Sequence, residues 1–210
     1  MNTEVTPQSF LASLDADWSH LVNQVGACRL ALRTELTPFE FLLDAIAHQH
    51  VHGRAAASLL RRLQEHFHGM PSPEALGHCP PELLRQCGFS TNKSAALIDL
   101  AQHALSGQVP DRQQALAMSD SVLIKQLTGI RGVGPWTVDM LLMFNLARPD
   151  ILPIGDFGVR EGYRKLRRLA VQPKPAELKQ QGLAWSPYRS AASWYLWQAT
   201  QILSNPDVAS

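Results

Sequence analysis

From Ser119 to Leu146 the chain reads as two helices joined by almost nothing. Ser119 to Leu127 has the pattern of a helix ended by Gly129, and Pro135 opens a second helix that runs to Leu146. Between them, Gly132-Val133-Gly134 leaves room only for a tight turn. Glycine tolerates a left-handed backbone and lets a ligand approach the main chain closely. The N–H groups of Gly132, Gly134 and the next helical turn would then point outward at a positive helix end, which suits a phosphate. An ordinary interhelical turn could use the same glycines for packing. The preceding Leu127-Thr128-Gly129-Ile130 and the following Pro135-Trp136-Thr137 favour the phosphate reading.

The rest of the chain carries helical punctuation too. Thr37-Pro38-Phe39-Glu40 combines an N-cap acceptor, a proline at the first helical position and a glutamate that closes a capping box. Phe41, Leu42, Ala45 and Ile46 then follow helical spacing. Further starts fall at Ser72-Pro73-Glu74, Asp111, Ser119 and Ser186-Pro187, and Gly53, Gly69, Gly88 and Gly107 stand near expected ends. No alternating Val/Ile/Thr run is bounded by hairpin turns. These signals predict an all-α protein of nine or ten helices of about eleven residues each. At 210 residues the chain is long enough to bury a core without staples. Its cysteines, Cys28, Cys79 and Cys87, form no Cys-x-x-Cys pair and read as reduced thiols of a cytoplasmic protein. Met1 to Thr6 is polar and carries Glu4, unlike a signal peptide. No apolar run approaches the ~18 residues of a membrane span.

Nineteen basic and eighteen acidic residues give a net charge of +1, which on its face speaks against a nucleic-acid binder. The distribution is uneven. Residues 1–47 hold six acids against Arg29 and Arg33, a net of −4. Residues 125–168 hold eight bases against Asp139, Asp150, Asp156 and Glu161, a net of +4. A solvated helix face and a DNA-facing stretch both fit such a run.

The hairpin, followed by Leu152-Pro153-Ile154-Gly155-Asp156-Phe157-Gly158, resembles the helix-hairpin-helix DNA glycosylase superfamily, and within it the 3-methyladenine DNA glycosylase II branch. The resemblance covers residues from about 35 to 203 and is most specific from Leu127 to Phe157. It implies a two-lobed helical fold with the active site in the interlobe cleft. Residues 30–142 would form a lobe with the wedge loop and hairpin. Residues 1–29 and 143–210 would form a second lobe with the catalytic aspartate and a closing aromatic segment.

By the same resemblance Asp156, about twenty residues after the hairpin glycine, is the catalytic carboxylate. Cleaving an N-glycosidic bond builds positive charge on the deoxyribose, and a carboxylate stabilises that charge or activates water. Read without the family, Asp156 is an N-cap, and Asp139 and Asp150 compete with it. Bifunctional members carry a lysine two residues after the second hairpin glycine, whose amine forms a Schiff base. Trp136 stands there, so the expectation is a monofunctional glycosylase without lyase activity that leaves an abasic site.

A base must leave the stack before it can be cut. Trp136, Phe157, Trp197 and Met140 would line its pocket. N3- and N7-alkylated purines are cationic, and aromatic faces hold cations. Met140 stands where some relatives have a pocket tyrosine. Trp194 reads as core, and Trp185 fits either core or the closing aromatic segment. In the run His48-Gln49-His50-Val51-His52-Gly53-Arg54, His50 matches the residue that fills the gap left by the flipped base. His52, Arg54, Gly132, Gly134, Thr137 and Lys93 are the other expected DNA contacts, with an ion pair as the alternative for Lys93. Alternating histidines can also bind zinc or cap a turn. The resemblance also implies that the carbonyls of Thr128, Ile130 and Val133 can hold a structural Na+ or K+ ion; no other cofactor is expected.

The expected partner is double-stranded DNA with damaged bases, met by a monomer with no membrane association, in the cytoplasm or, in a bacterium, at the nucleoid. The expected activity is base excision repair of alkylated purines of the 3-methyladenine and 7-methylguanine type. Two other readings remain: a glycosylase for deaminated, oxidised or N1-methylated bases, and a non-catalytic DNA-binding module.

Overall fold

A computed structural model describes residues 5–203. Among these residues every regular element is helical. The chain opens with α1 (Pro7–Ala12) and α2 (Ala16–Val25), followed by α3 (Pro38–His48), α4 (Gly53–Phe67), α5 (Pro73–Gly77), α6 (Pro81–Gln86) and α7 (Thr91–Leu105). Next come α8 (Arg112–Ala117), α9 (Asp120–Leu127) and α10 (Pro135–Met140), which continues into a π-helical turn at Leu141–Asn145. Helices α11 (Phe157–Leu166) and α12 (Pro175–Gln181), a 3-10 turn at Gly182–Trp185 and α13 (Arg189–Ile202) complete the order.

Among the described residues thirteen α-helices stand where the sequence predicts nine or ten. The cause is proline. Pro38, Pro73, Pro81, Pro135 and Pro175 all sit in a first turn behind an extended residue, so the chain restarts instead of running on. Thr37 and Glu40 form the expected capping box, and Ser72, Asp111 and Ser119 each cap their helix. Two signals misplace their elements. The Ser186–Pro187 peptide is cis and α13 begins at Arg189 without a side-chain cap. Gly53 opens α4 instead of following a helix.

The backbone divides into two compact units. One is Arg33–Leu146; the other comprises the described parts of Met1–Leu32 and Ala147–Ser210. In the Arg33–Leu146 unit, α3 packs on α4, α7 and the π turn. It buries Phe39, Phe41, Leu42, Leu43 and Ile46. A fully buried leucine or phenylalanine contributes about 1.5–3 kcal/mol, so this helix is well anchored. The π turn is held from outside: Asn145 Nδ2 donates to the carbonyls of Arg33 (2.9 Å) and Leu36 (2.8 Å), and Arg112 Nη1 donates to the Asn145 carbonyl (2.8 Å). These side-chain bonds account for the second hairpin helix departing from a regular α-helix before Leu146.

In the other unit Leu11, Trp18, Leu21, Val159, Tyr163, Leu166, Trp185, Tyr195 and Leu196 share one core. Trp185 is 2% exposed and its ring meets Trp18 edge-on at 5.3 Å, as a core tryptophan should. Helices α11 and α13 form its main contact, and Gly162 makes that contact possible: a Cβ there would lie 1.9 Å from the Leu196 carbonyl oxygen. This unit also explains the uneven charge. Arg167 bonds Asp15 and Asp17, and Arg168 bonds Asp17 at 3.0 Å. The Arg167 guanidinium holds both aspartates below the ordinary carboxylate range. Arg164 grips Glu161 at 2.7 Å and takes its carboxyl down to about 2. Part of the basic stretch is therefore neutralised by the acidic end and by α11 itself.

Candidate functional site

Helix α9 ends at Leu127, and the chain turns through a Val133 N–H donating to the Ile130 carbonyl at 3.0 Å. Gly132 sits at φ +79°, and a Cβ there would come within 3.2 Å of Ala96 Cβ. Conformation and space both demand glycine. The N-cap of α10 is Gly134, which offers no side-chain acceptor to the first-turn N–H groups. Such groups need a partner from outside the helix.

The histidine loop lies beside this hairpin. Gln49 caps α3 and its Nε2 donates to the Gly132 carbonyl at 2.8 Å. Lys93 Nζ donates to the Ala47 carbonyl at 2.7 Å, and burial lowers its ammonium pKa. Lys93 therefore braces the end of α3, which neither of its expected roles anticipated. Between these ties His50 stands exposed with φ +55°, an uncommon left-handed conformation that histidine adopts more readily than most non-glycine residues. His48 Nδ1 lies 2.9 Å from the Asp44 carbonyl and 3.3 Å from its carboxylate. No group of three or more metal-ligating side chains occurs among the described residues, so the zinc alternative has no ligand set there. His52 and Arg54 are exposed at the start of α4.

A cavity of about 630 Å³ opens between α3 and α10. His50, Gly132, Gly134, Trp136, Thr137 and Met140 line it, as do Phe41, Asp44, Ala45, His48 and Gln49. Trp136 is 48% exposed, whereas Met140 and Thr137 are buried. Phe41, Asp44 and His48 were not expected here. Their helical spacing marks α3 as amphipathic without showing which cavity its inner edge borders. Asp44 is bound by Arg33 at 2.8 Å.

In the other unit Asp156 is the N-cap of α11. Its Oδ1 accepts the Val159 N–H at 2.7 Å and the Trp197 indole N–H at 2.9 Å. Phe157, the first residue of the helix, is 71% exposed. Trp194 is half-buried against Tyr195.

The competing aspartates have other lives. Asp150 is gripped by Arg189 through Nε (2.7 Å) and Nη2 (2.8 Å) and by Ser186 Oγ (2.8 Å), and this fork holds its pKa low. Burial, with Asp120 nearby, pushes Asp139 up to about 7. A carboxyl that is ionised above about pH 4 when unfolded but only above about 7 when folded gains protons on folding. Stability should therefore rise as the pH falls from 7 to 4. Asp139→Asn should remove that slope and stabilise the protein at pH 8 by about 1–2 kcal/mol after solvent screening. Melting curves of both proteins at pH 5 and pH 8 check this; equal melting temperatures at pH 8 would refute it.

The HhH-GPD superfamily base excision DNA repair protein model matches residues 43–187. The chain is 37% identical over 195 residues to DNA-3-methyladenine glycosylase 1 of Schizosaccharomyces pombe, covering 91% of this chain and 86% of that one. It is 32% identical over 201 residues to an alkylbase DNA glycosidase-like protein of the same yeast, covering 93% of each. Among solved structures it resembles the Schizosaccharomyces pombe 3-methyladenine DNA glycosylase in complex with abasic DNA. That match has a TM-score of 0.84 and 36% identity, over 93% of this chain and 97% of the other. No described helix is long and apolar enough to cross a membrane.

Proposed function

The chain belongs to the HhH-GPD superfamily of base excision DNA repair proteins, and from that premise we propose that it is a monofunctional DNA glycosylase for alkylated purines. The observation that carries the reading is Asp156, a carboxylate fixed at a helix N-terminus by two N–H donors. As the C1′–N bond breaks, its electron pair returns to the cationic base, which leaves neutral. Positive charge moves to the sugar, where Asp156 opposes it, and water then adds at C1′ and loses a proton.

The Arg33–Leu146 unit supplies recognition. Trp136 and Phe41 give the cavity aromatic walls for a flipped cationic purine, and Met140 adds an apolar side chain to its lining. In the other unit Phe157 and Trp197 add aromatic surface next to Asp156. His50 is the wedge for the vacated stack. Gly132, Gly134 and Thr137 offer main-chain N–H groups to phosphate, and His52 and Arg54 reach flanking phosphates. Lys93 serves this surface by holding the loop. The Ile130 carbonyl accepts Val133 N–H and keeps a second lone pair, so with Thr128 and Val133 it fits a monovalent cation, Na+ or K+, that would add positive charge beside a phosphate. The partner is duplex DNA bearing a damaged base, met by a monomer wherever the cell keeps its DNA.

The test is excision from duplexes that each carry one lesion, followed by alkali. Release of 3-methyladenine and 7-methylguanine, with strand breaks only after alkali, is expected. Breaks before alkali would overturn the monofunctional assignment. Release confined to deaminated or oxidised bases would overturn the substrate class, and no release from any lesion would favour a DNA-binding module.

A further inference from the structure

Asp156 is held by a device that begins with two glycines one helical turn apart. Gly158 and Gly162 both face α13. At Gly162 the absence of a side chain lets the α13 backbone approach at Leu196. Lys165 Nζ donates to the Thr200 carbonyl at 2.9 Å and ties the far end of α11 to the same helix. This close crossing carries Trp197 to the start of α11. There Gly158 leaves the space its ring occupies: a Cβ on residue 158 would lie 2.8 Å from Trp197 Cδ1, 3.1 Å from Nε1 and 3.2 Å from Asp156 Oδ1. The indole edge thus reaches the carboxylate only because residue 158 has no side chain.

We infer that Trp197 and Gly158 are positioning residues for the catalytic carboxylate: Trp197 orients Asp156 through its indole N–H, and Gly158 keeps the approach open. The inference rests on Asp156 being the group that faces the sugar. An aspartate bound only to the N–H of its own helix can still turn about its side-chain torsions. A second donor, from another helix, fixes the plane of the carboxylate. A fixed dipole opposes the developing charge without reorganising during the reaction. Trp197 therefore matters through one N–H as well as through its ring.

The experiment compares single-turnover excision and affinity for an abasic duplex among wild type, Trp197→Phe, Gly158→Ala, the double variant and Asp156→Asn. Phenylalanine keeps an aromatic ring and deletes the donor. Trp197→Phe is expected to slow excision about ten- to a hundredfold while the Kd for the abasic duplex stays within about twofold. Gly158→Ala should fall in the same range. The double variant should be no slower than the slower single one, because both changes break one bond. If Trp197 acts only as a stacking surface, Trp197→Phe will excise at nearly the wild-type rate, and the inference fails. If the two losses multiply, Gly158 does not act through Trp197, and that half fails. A Gly158→Ala protein that does not fold leaves Trp197→Phe to decide. If Asp156→Asn itself excises normally, the catalytic assignment fails and the positioning role falls with it, whereas an inactive Asp156→Asn beside a normal Trp197→Phe overturns the positioning role alone.

Discussion

Asp156→Asn should abolish base excision, by about a thousandfold or more, while the protein folds and binds DNA as before. Asparagine caps helices about as well as aspartate, so the Val159 N–H keeps an acceptor and α11 keeps its start. The amide oxygen can accept the Trp197 indole N–H in the same geometry. What disappears is the negative charge. Removing a single preorganised stabilising group from an active site already costs about 10²–10³ in rate. Removing the charge that faces the forming cation should cost at least the upper part of that range. The measurement is single-turnover release of 3-methyladenine, with binding of an abasic duplex measured alongside. A variant within tenfold of wild type would sink the assignment of Asp156. A variant that is inactive and also unable to bind DNA would show that the substitution had damaged more than the chemistry.

Much of this machinery could be read from the chain before any coordinates. The hairpin glycines and the proline-marked starts are local signals, each set by a backbone requirement within a few residues, whereas the role expected of Asp156 comes from the resemblance and its local signal is only that of an N-cap. Gly132 is the clearest case, since its turn demands a left-handed residue whatever lies around it. The features that were not legible depend on elements distant in sequence. Lys93 braces the Ala47 carbonyl only because α7 packs beside α3. Arg167 and Arg168 resemble a nucleic-acid stretch until the fold delivers Asp15 and Asp17 to them. By resemblance Trp197 reads as an aromatic for the pocket, yet its hydrogen bond to Asp156 follows from how α13 crosses α11, which periodicity does not encode. One trace of that crossing does stand in the sequence: Gly158-x-x-x-Gly162 places two side-chain-free positions on one face of a short helix. In a helix interior a glycine such as Gly162 costs about 1 kcal/mol relative to alanine, so its presence there points to something that must come close.

That cost sets up the second large effect. On helix propensity alone Gly162→Ala should stabilise α11 by up to about 1 kcal/mol. The packing argues the other way and is stronger. The new Cβ would lie 1.9 Å from the Leu196 carbonyl oxygen and 2.5 Å from its carbonyl carbon. Carbon and oxygen atoms need more than 3 Å, and the obstructing atoms are backbone, so no side-chain rotation relieves the overlap. Helices α11 and α13 would have to separate by about an ångström along the core that holds Val159, Tyr163, Leu196 and Ala199. Overpacking of this kind costs about 1–3 kcal/mol where side chains can adjust, and more where they cannot. A net loss of about 3 kcal/mol is expected, lowering the melting temperature by roughly 10 °C. Excision should also fall at temperatures where the variant is still folded, because moving α13 withdraws the Trp197 N–H from Asp156. Thermal unfolding and single-turnover rates at 25 °C measure the two consequences separately. A variant as stable as wild type would show that the helices can part without cost. A destabilised variant that still excises at the wild-type rate would break the link between the helix crossing and the catalytic carboxylate.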